Sequence, residues 1–366
     1  MSSHAHDRIP AWCWAAPLAA LIFLGLKFAS LIPAEHPIVL VIAAILLGAA
    51  VFAAVHHAEV LAAKAGEPFG SILLAIAVTI IEVALILSIM LSAGESAQAL
   101  ARDTVFSAVM IVLNGVIGLC LLVGGNRYHE QNVQIQGSTA SLGVLGTLAT
   151  LALVLPNFTL TTPGPVYAPS QLIFVGAVSL CLYFIFVFVQ TVRHRSYFLE
   201  DAVLDDDDAP SIAPPARMVL VSAVLLPVAL TCVVLLAKIL SYPLDRAVAA
   251  AGLPNAVVGV VIAAIVLLPE GIAAVKAAAA NRLQNSVNLA LGSAIASIGL
   301  TIPAVAVASI VLGTPLALGL SSAMQVLLAL TLYITALSLV TGRTTILQGA
   351  IHLIIFGVFL LITAVP

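Results

Sequence analysis

Of the sixteen Asp and Glu residues in the chain, Glu82 and Glu270 are the two that fall deep inside long apolar runs. Glu82 lies 12 residues after Gly70 and 11 before Ala93, and Glu270 lies 15 after Asn255 and 12 before Arg282. At about 1.5 Å of rise per residue, each carboxyl is expected near the middle of a membrane-crossing helix. A charged carboxylate at the bilayer centre costs roughly 3 kcal/mol on insertion scales, so such residues face an interior cavity and mark an ion path. The plainer alternative is a protonated Glu that hydrogen-bonds a neighbouring helix. Two carboxylates close together in a low dielectric raise one another's proton affinity. Either protons or one divalent cation would then neutralise the pair, which is the chemistry of exchange.

Several residues near the two carboxylates could complete a site. Pro269 precedes Glu270 and Gly271 follows it, a combination expected to free carbonyls and break helix regularity. Such carbonyls would help fill the oxygen shell that a hard cation needs. Gly292, Ser293 and Ser297 lie on the following helix, before Thr301 and Pro303, and Ser293 is the strongest hydroxyl candidate among them. Small and hydroxyl residues also serve close helix packing. In the first half Thr79 lies one turn from Glu82, and Ser107 and Asn114 lie on the next helix. The run Asp205, Asp206, Asp207 and Asp208 reads as a solvated linker, with a regulatory cation-sensing loop as the alternative; it lacks the spacing of an EF-hand. His56, His57 and Glu59 are expected at the interface flanking the third helix. His352 is expected to be a packing residue. Cys13, Cys120, Cys181 and Cys232 show no CxxC spacing and read as apolar packing groups.

The elements that must carry these residues follow from composition. The chain has 366 residues, 62% hydrophobic and 8% charged, against roughly a quarter charged in soluble domains. Apolar runs long enough to cross a hydrocarbon core of about 30 Å recur along it. They predict an all-α integral membrane protein of about eleven helices: 12–32, 37–56, 70–93, 104–124, 138–156, 169–192, 217–240, 254–276, 287–311, 316–340 and 345–365. The first is read as a retained span and not a cleaved signal. With eleven spans, Arg8, Lys64, Arg127, Arg193, Arg195, Arg217, Lys276, Arg282 and Arg343 collect on the N-terminal side and only Arg102 and Arg246 on the other. This bias predicts a cytoplasmic N-terminus and an external C-terminus. The organisation is then 1–36, tail and leading helix; 37–192, a first five-helix repeat; 193–216, an acidic cytoplasmic linker; and 217–366, a second five-helix repeat. Two copies of an odd-numbered unit in series enter the membrane in opposite orientations, as in inverted-repeat transporters. The net charge of −3 and scattered basic residues give no nucleic-acid surface.

The segments Gly66 to Ser71 leading to Glu82, Leu268 to Gly271 leading to Gly292 through Ser297, and Gly124-Gly-Asn-Arg-Tyr-His-Glu-Gln131 resemble the calcium/cation antiporter superfamily. Within it the chain is similar to the bacterial calcium/proton exchangers of the ChaA type. That resemblance implies one-plus-five-plus-five topology, an acidic loop between halves, residence in the bacterial inner membrane, and Glu82 and Glu270 as cation, metal and proton ligands. It implies export of Ca2+ in exchange for H+ by alternating access, with Na+ and K+ as further substrates and no cofactor. The chain departs from the Gly-Asn-Ala-x-Glu pattern of the vacuolar exchangers, reading Val78-Thr-Ile-Ile-Glu82 and Val266-Leu-Leu-Pro-Glu270. A cation channel or other cation-conducting membrane protein is the competing reading. An enzyme is disfavoured, because the chain has no HExxH and no serine with an evident base. Oligomeric state stays open.

Overall fold

The computed structural model describes residues 10–32, 36–66, 69–93, 98–199 and 214–366, the side chains of 71, 89 and 91–93 excepted. Among these residues the chain is almost wholly helical. The helices are α1 (Ala11–Phe28), α2 (Pro37–Ala65), α3 (Phe69–Ala93), α4 (Leu100–Tyr128), α5 (Ile135–Phe158), α6 (Pro169–Arg193), α7 (Ala216–Ala250), α8 (Ala256–Ala279), α9 (Leu283–Leu312), α10 (Ser322–Val340) and α11 (Ile346–Ala364). Ten of these are long and apolar enough to cross a membrane, and α3 contributes the apolar stretch Ile72–Ser88. Large apolar side chains such as Ile22, Ile45, Phe174 and Leu361 are exposed on the outer faces. In water such a surface would associate; in a bilayer it faces lipid tails. The protein is therefore an all-α integral membrane protein with one leading helix and two five-helix sets, α2–α6 and α7–α11.

The helices group into two compact units, each drawing on both sets. The first contains α1, α2, α3 and α7. Its principal contact joins α2 to α7, with α3 and α1 packed on both. The α2–α3 connection is tight: a Cβ at Gly70 would lie 2.5 Å from the Ala62 carbonyl oxygen.

The second unit contains α4, α5, α6 and α8–α11, and its loops display the inverted relation of the two sets. Strand β1 (Gln131–Asn132), after α4, pairs antiparallel with β2 (Arg343–Thr344), before α11. An antiparallel bridge joins Val166, before α6, to Ala317, after α9. Exchanging the two sets maps one pairing onto the other, as oppositely oriented copies require. The third helix of each set also widens into a π-helical turn, Ile111–Val116 in α4 and Ser297–Thr301 in α9. In α9 the turn precedes Pro303, which has no N–H to offer the Gly299 carbonyl. Beside the Val166 bridge, the buried Tyr167 hydroxyl donates to Leu151 O at 2.5 Å. Burial pushes its pKa up to about 12.

Three local expectations are revised. Helix α2 continues to Ala65, because the alanine-rich stretch after His57 is a strong helix former; His56, His57 and Glu59 therefore lie within it. His57 is buried, its ring against Ser222 Oγ and Cys13 O at 3.1 Å each. Helix α7 runs on to Ala250 through Pro227 and Pro243, so the segment Ser241 to Arg246 does not end it. Helix α8 is continuous across Pro269; proline removes one N–H there, to the Ile265 carbonyl, without breaking the helix. Asp205 to Asp208 lie outside the described residues.

Candidate functional site

Glu82 is the fourteenth residue of α3 in the first unit and is 3% exposed. Its helical neighbours Thr79, Ile81, Leu85 and Ile86 are buried as well. The structure thus puts Thr79 on the same helix one turn away, in keeping with the i, i+3 spacing.

Glu270 lies in α8 of the second unit, half-buried, among the buried residues Val266, Leu267 and Pro269. Three contacts set the position of its helix. Near the N-terminal end, Gly259 abuts the first turn of α4; a Cβ there would stand 2.8 Å from the Asp103 carbonyl carbon. Beside Glu270, a Cβ on Gly271 would stand 3.2 Å from Val116 Cγ2, at the π turn of α4. At the C-terminal end, Tyr128 Oη donates to Ala279 O at 2.9 Å, and Gln131 Nε2 donates to Ala278 O and Asn281 Oδ1, each at 3.0 Å. Those donors reinforce a helix end whose last carbonyls have few helical partners, Ala278 O already accepting from Asn281 N at 3.1 Å. The Gly124 to Gln131 segment therefore caps the helix of Glu270.

The remaining candidates in this unit fall on α4 and α9, which both pack on α8. Ser107 is buried, and its hydroxyl donates back to Asp103 O at 2.5 Å. Asn114 is fully buried in the π turn of α4. Its amide is occupied at both ends, Nδ2 donating to Thr331 Oγ1 at 2.9 Å and Oδ1 lying 3.1 Å from His352 Nδ1. Gly292 and Ser293 are half-buried on α9, and a Cβ on Gly292 would meet nothing within 4 Å. Ser297, at the start of the α9 π turn, is buried. The structure thus brings Ser107, Asn114, Glu270, Gly292, Ser293 and Ser297 onto three mutually packed helices, while Thr79 and Glu82 share α3.

Other polar groups of the second unit escape sequence reasoning. Arg102 pairs with Asp103 at 2.7 Å and donates through Nη1 to Gly319 O at 3.1 Å, tying the start of α4 to the loop before α10. His352 is fully buried and has polar partners on two helices. The only sequence signal for it was a histidine inside an apolar run. Among the described residues no group of three or more His, Cys, Asp or Glu could hold a metal ion.

The chain is similar to known proteins over most of its length. The profile of the family described as "Sodium/calcium exchanger protein" matches residues 35–192 and 221–365. The "Putative ionic transporter y4hA" of Sinorhizobium fredii (strain NBRC 101917 / NGR234) is 56% identical over 364 residues, covering 98% of this chain and 97% of that protein. The "Sodium-potassium/proton antiporter ChaA" of Escherichia coli (strain K12) is 35% identical over 312 residues, 85% of this chain and 84% of that one. Among solved structures, native YfkE superposes with a TM-score of 0.73 at 19% identity, covering 97% of this chain and 99% of that one. The H+/Ca2+ exchanger CAX gives 0.71 at 17% identity, covering 95% and 86%.

Proposed function

Because the chain belongs to the sodium/calcium exchanger protein family, we propose that it is a secondary cation/proton antiporter whose cation and proton carriers are Glu82 and Glu270. The observation that carries the reading is a carboxylate midway along the second helix of each five-helix set, Glu82 in α3 and Glu270 in α8. An ionised carboxylate at membrane depth is costly, so each group is neutralised, by a proton or by a cation, before its surroundings close. A carrier that changes access only when neutralised exchanges one for the other. The proton gradient thereby expels the cation by alternating access.

The transported cations proposed are Ca2+, Na+ and K+. Na+ and K+ are favoured by the name of the 35%-identical relative, a sodium-potassium/proton antiporter. Ca2+ is favoured by the family to which the chain belongs, described as sodium/calcium exchanger protein. The membrane is the bacterial inner membrane with the N-terminus cytoplasmic, as the distribution of Lys and Arg favours. Supporting oxygens would come from Thr79, Ser293 and Ser297 and from the carbonyl that Pro269 frees.

The test is a pH assay in everted vesicles from cells lacking their own exchangers. Addition of Ca2+, Na+ or K+ should collapse an imposed proton gradient in a saturable way. Cation flux that proceeds without proton movement would sink the antiport reading and favour a channel.

A further inference from the structure

Four polar side chains lie buried where α4, α10 and α11 meet in the second unit, and the transport reading does not account for their arrangement. The ring of His352 on α11 stands with Nδ1 3.1 Å from Asn114 Oδ1 and Nε2 3.2 Å from Ser338 Oγ. Asn114 Nδ2 donates to Thr331 Oγ1 at 2.9 Å. Met110 Sδ, which can only accept, lies 3.8 Å from Asn114 Nδ2 and 3.5 Å from Thr331 Oγ1. The sulfur thereby fixes the amide: its nitrogen faces Met110 and Thr331, and its oxygen faces the histidine. An amide oxygen can only accept, so His352 Nδ1 must carry the hydrogen. The lone pair left on Nε2 then accepts the Ser338 hydroxyl proton. One neutral tautomer satisfies the whole chain of groups.

Close packing holds the ring in place. A Cβ on Gly118 of α4 would lie 2.9 Å from His352 Cβ, so the two helices touch one turn beyond Asn114. The same π turn that carries Asn114 also carries Val116, which abuts Gly271 beside Glu270.

We infer that His352 is a positioning residue, held as the neutral Nδ1–H tautomer, which fixes Asn114 and with it the π turn against the helix of Glu270. An ionisable group in a membrane interior invites the reading of a proton carrier. The groups that face the ring, Asn114 on α4 and Ser338 on α10, are neutral, and neither is a carboxylate able to stabilise an imidazolium or pass it a proton. Asn114, with both amide ends engaged, serves as a scaffold and not as a cation ligand. The kinetic consequence rests on the proposed role of Glu270; the tautomer does not.

The tautomer is read directly by 15N NMR of the full-length protein in nanodiscs with labelled histidine, the His352 signals being assigned by their loss in His352→Asn. A protonated Nδ1 and a bare Nε2, unchanged from about pH 6 to about pH 9, are expected. An Nε2–H tautomer or an imidazolium in that range overturns the inference. In transport assays, His352→Asn keeps a donor near the Nδ1 position and should leave KM within about twofold. His352→Leu strands the Asn114 oxygen and should raise KM about tenfold, with Vmax and pH profile unchanged. Thr331→Val, which frees the other end of the amide, should move KM the same way and serves if the leucine variant does not fold. Equal KM for His352→Leu and the native protein, or a pH profile displaced in His352→Asn, contradicts the inference. Should Glu270→Gln prove fully active, the role of Glu270 falls while the NMR result still decides the tautomer.

Discussion

Gly259→Ala tests the contact that sets the helix of Glu270 against α4. The added Cβ would lie 2.8 Å from the Asp103 carbonyl carbon, 2.9 Å from Thr104 N and 3.0 Å from Asp103 Cβ. Ordinary contact begins at 3.4 Å, so α8 and α4 must part there by about 3.4 − 2.8 = 0.6 Å. The first two atoms are main chain in a helical turn and cannot swing aside. Overpacking of this kind costs about 1–3 kcal/mol. Glu270 lies eleven residues further along, about 16 Å at the helical rise, next to the second contact at Gly271. Helix α8 therefore pivots near Glu270, and the carboxylate barely moves. The variant should lose about 1–3 kcal/mol in equilibrium unfolding from mixed micelles while KM for the cation stays within about threefold. Gly143→Ala is the control, since a Cβ there meets nothing within 4 Å. If Gly259→Ala unfolds within about 0.5 kcal/mol of the native protein, the range of ordinary surface changes, the close approach of α8 and α4 is wrong.

Two further outcomes follow from the same unit. Gln131→Leu removes the donor to Ala278 O and Asn281 Oδ1, while Ala278 O keeps its bond from Asn281 N, so backbone amides of 278–284 should exchange faster with deuterium and stability should fall by about 0.5–1.5 kcal/mol; unchanged protection at the α8 terminus would refute the capping role. Tyr167 titrates at about 12 in place of its ordinary 10.0. The folded state therefore holds that proton more tightly than the unfolded chain does, and the contribution is complete below pH 10 and lost as pH rises from 10 towards 12. Tyr167→Phe should lack that alkaline component in pH-dependent melting, and identical curves for both proteins would contradict it.

Much of the architecture was legible because lipid imposes a simple rule: each span must be apolar over its whole length. The eleven helices follow from it. The ends of α2 and α7 were not legible, since polar residues such as His57 and Asp245 stay helical when the chain around them is alanine-rich or long enough to leave the hydrocarbon. Glu82 and Glu270 stood out because a carboxylate inside an apolar run has few bland explanations. His352 did not, because its partner Asn114 is 238 residues away and meets it only through the interleaving of the two helix sets. The Gly124 to Gln131 segment was recognisable as a motif, but its purpose depends on carbonyls of α8, far along the chain. Pro269 misled in one respect, since a proline inside a membrane helix removes a hydrogen bond without obliging the helix to break.

Whether Glu82 and Glu270 carry the exchange is decided by proton movement driven by an imposed cation gradient in proteoliposomes of the purified protein, with Glu82→Gln and Glu270→Gln beside it. Each substitution keeps the side-chain size and removes the carboxylate charge that the proposed exchange requires. Saturable cation-driven proton flux is expected in the native protein and its loss in both variants, with melting behaviour preserved. Native-like exchange in either variant would contradict the two-glutamate mechanism.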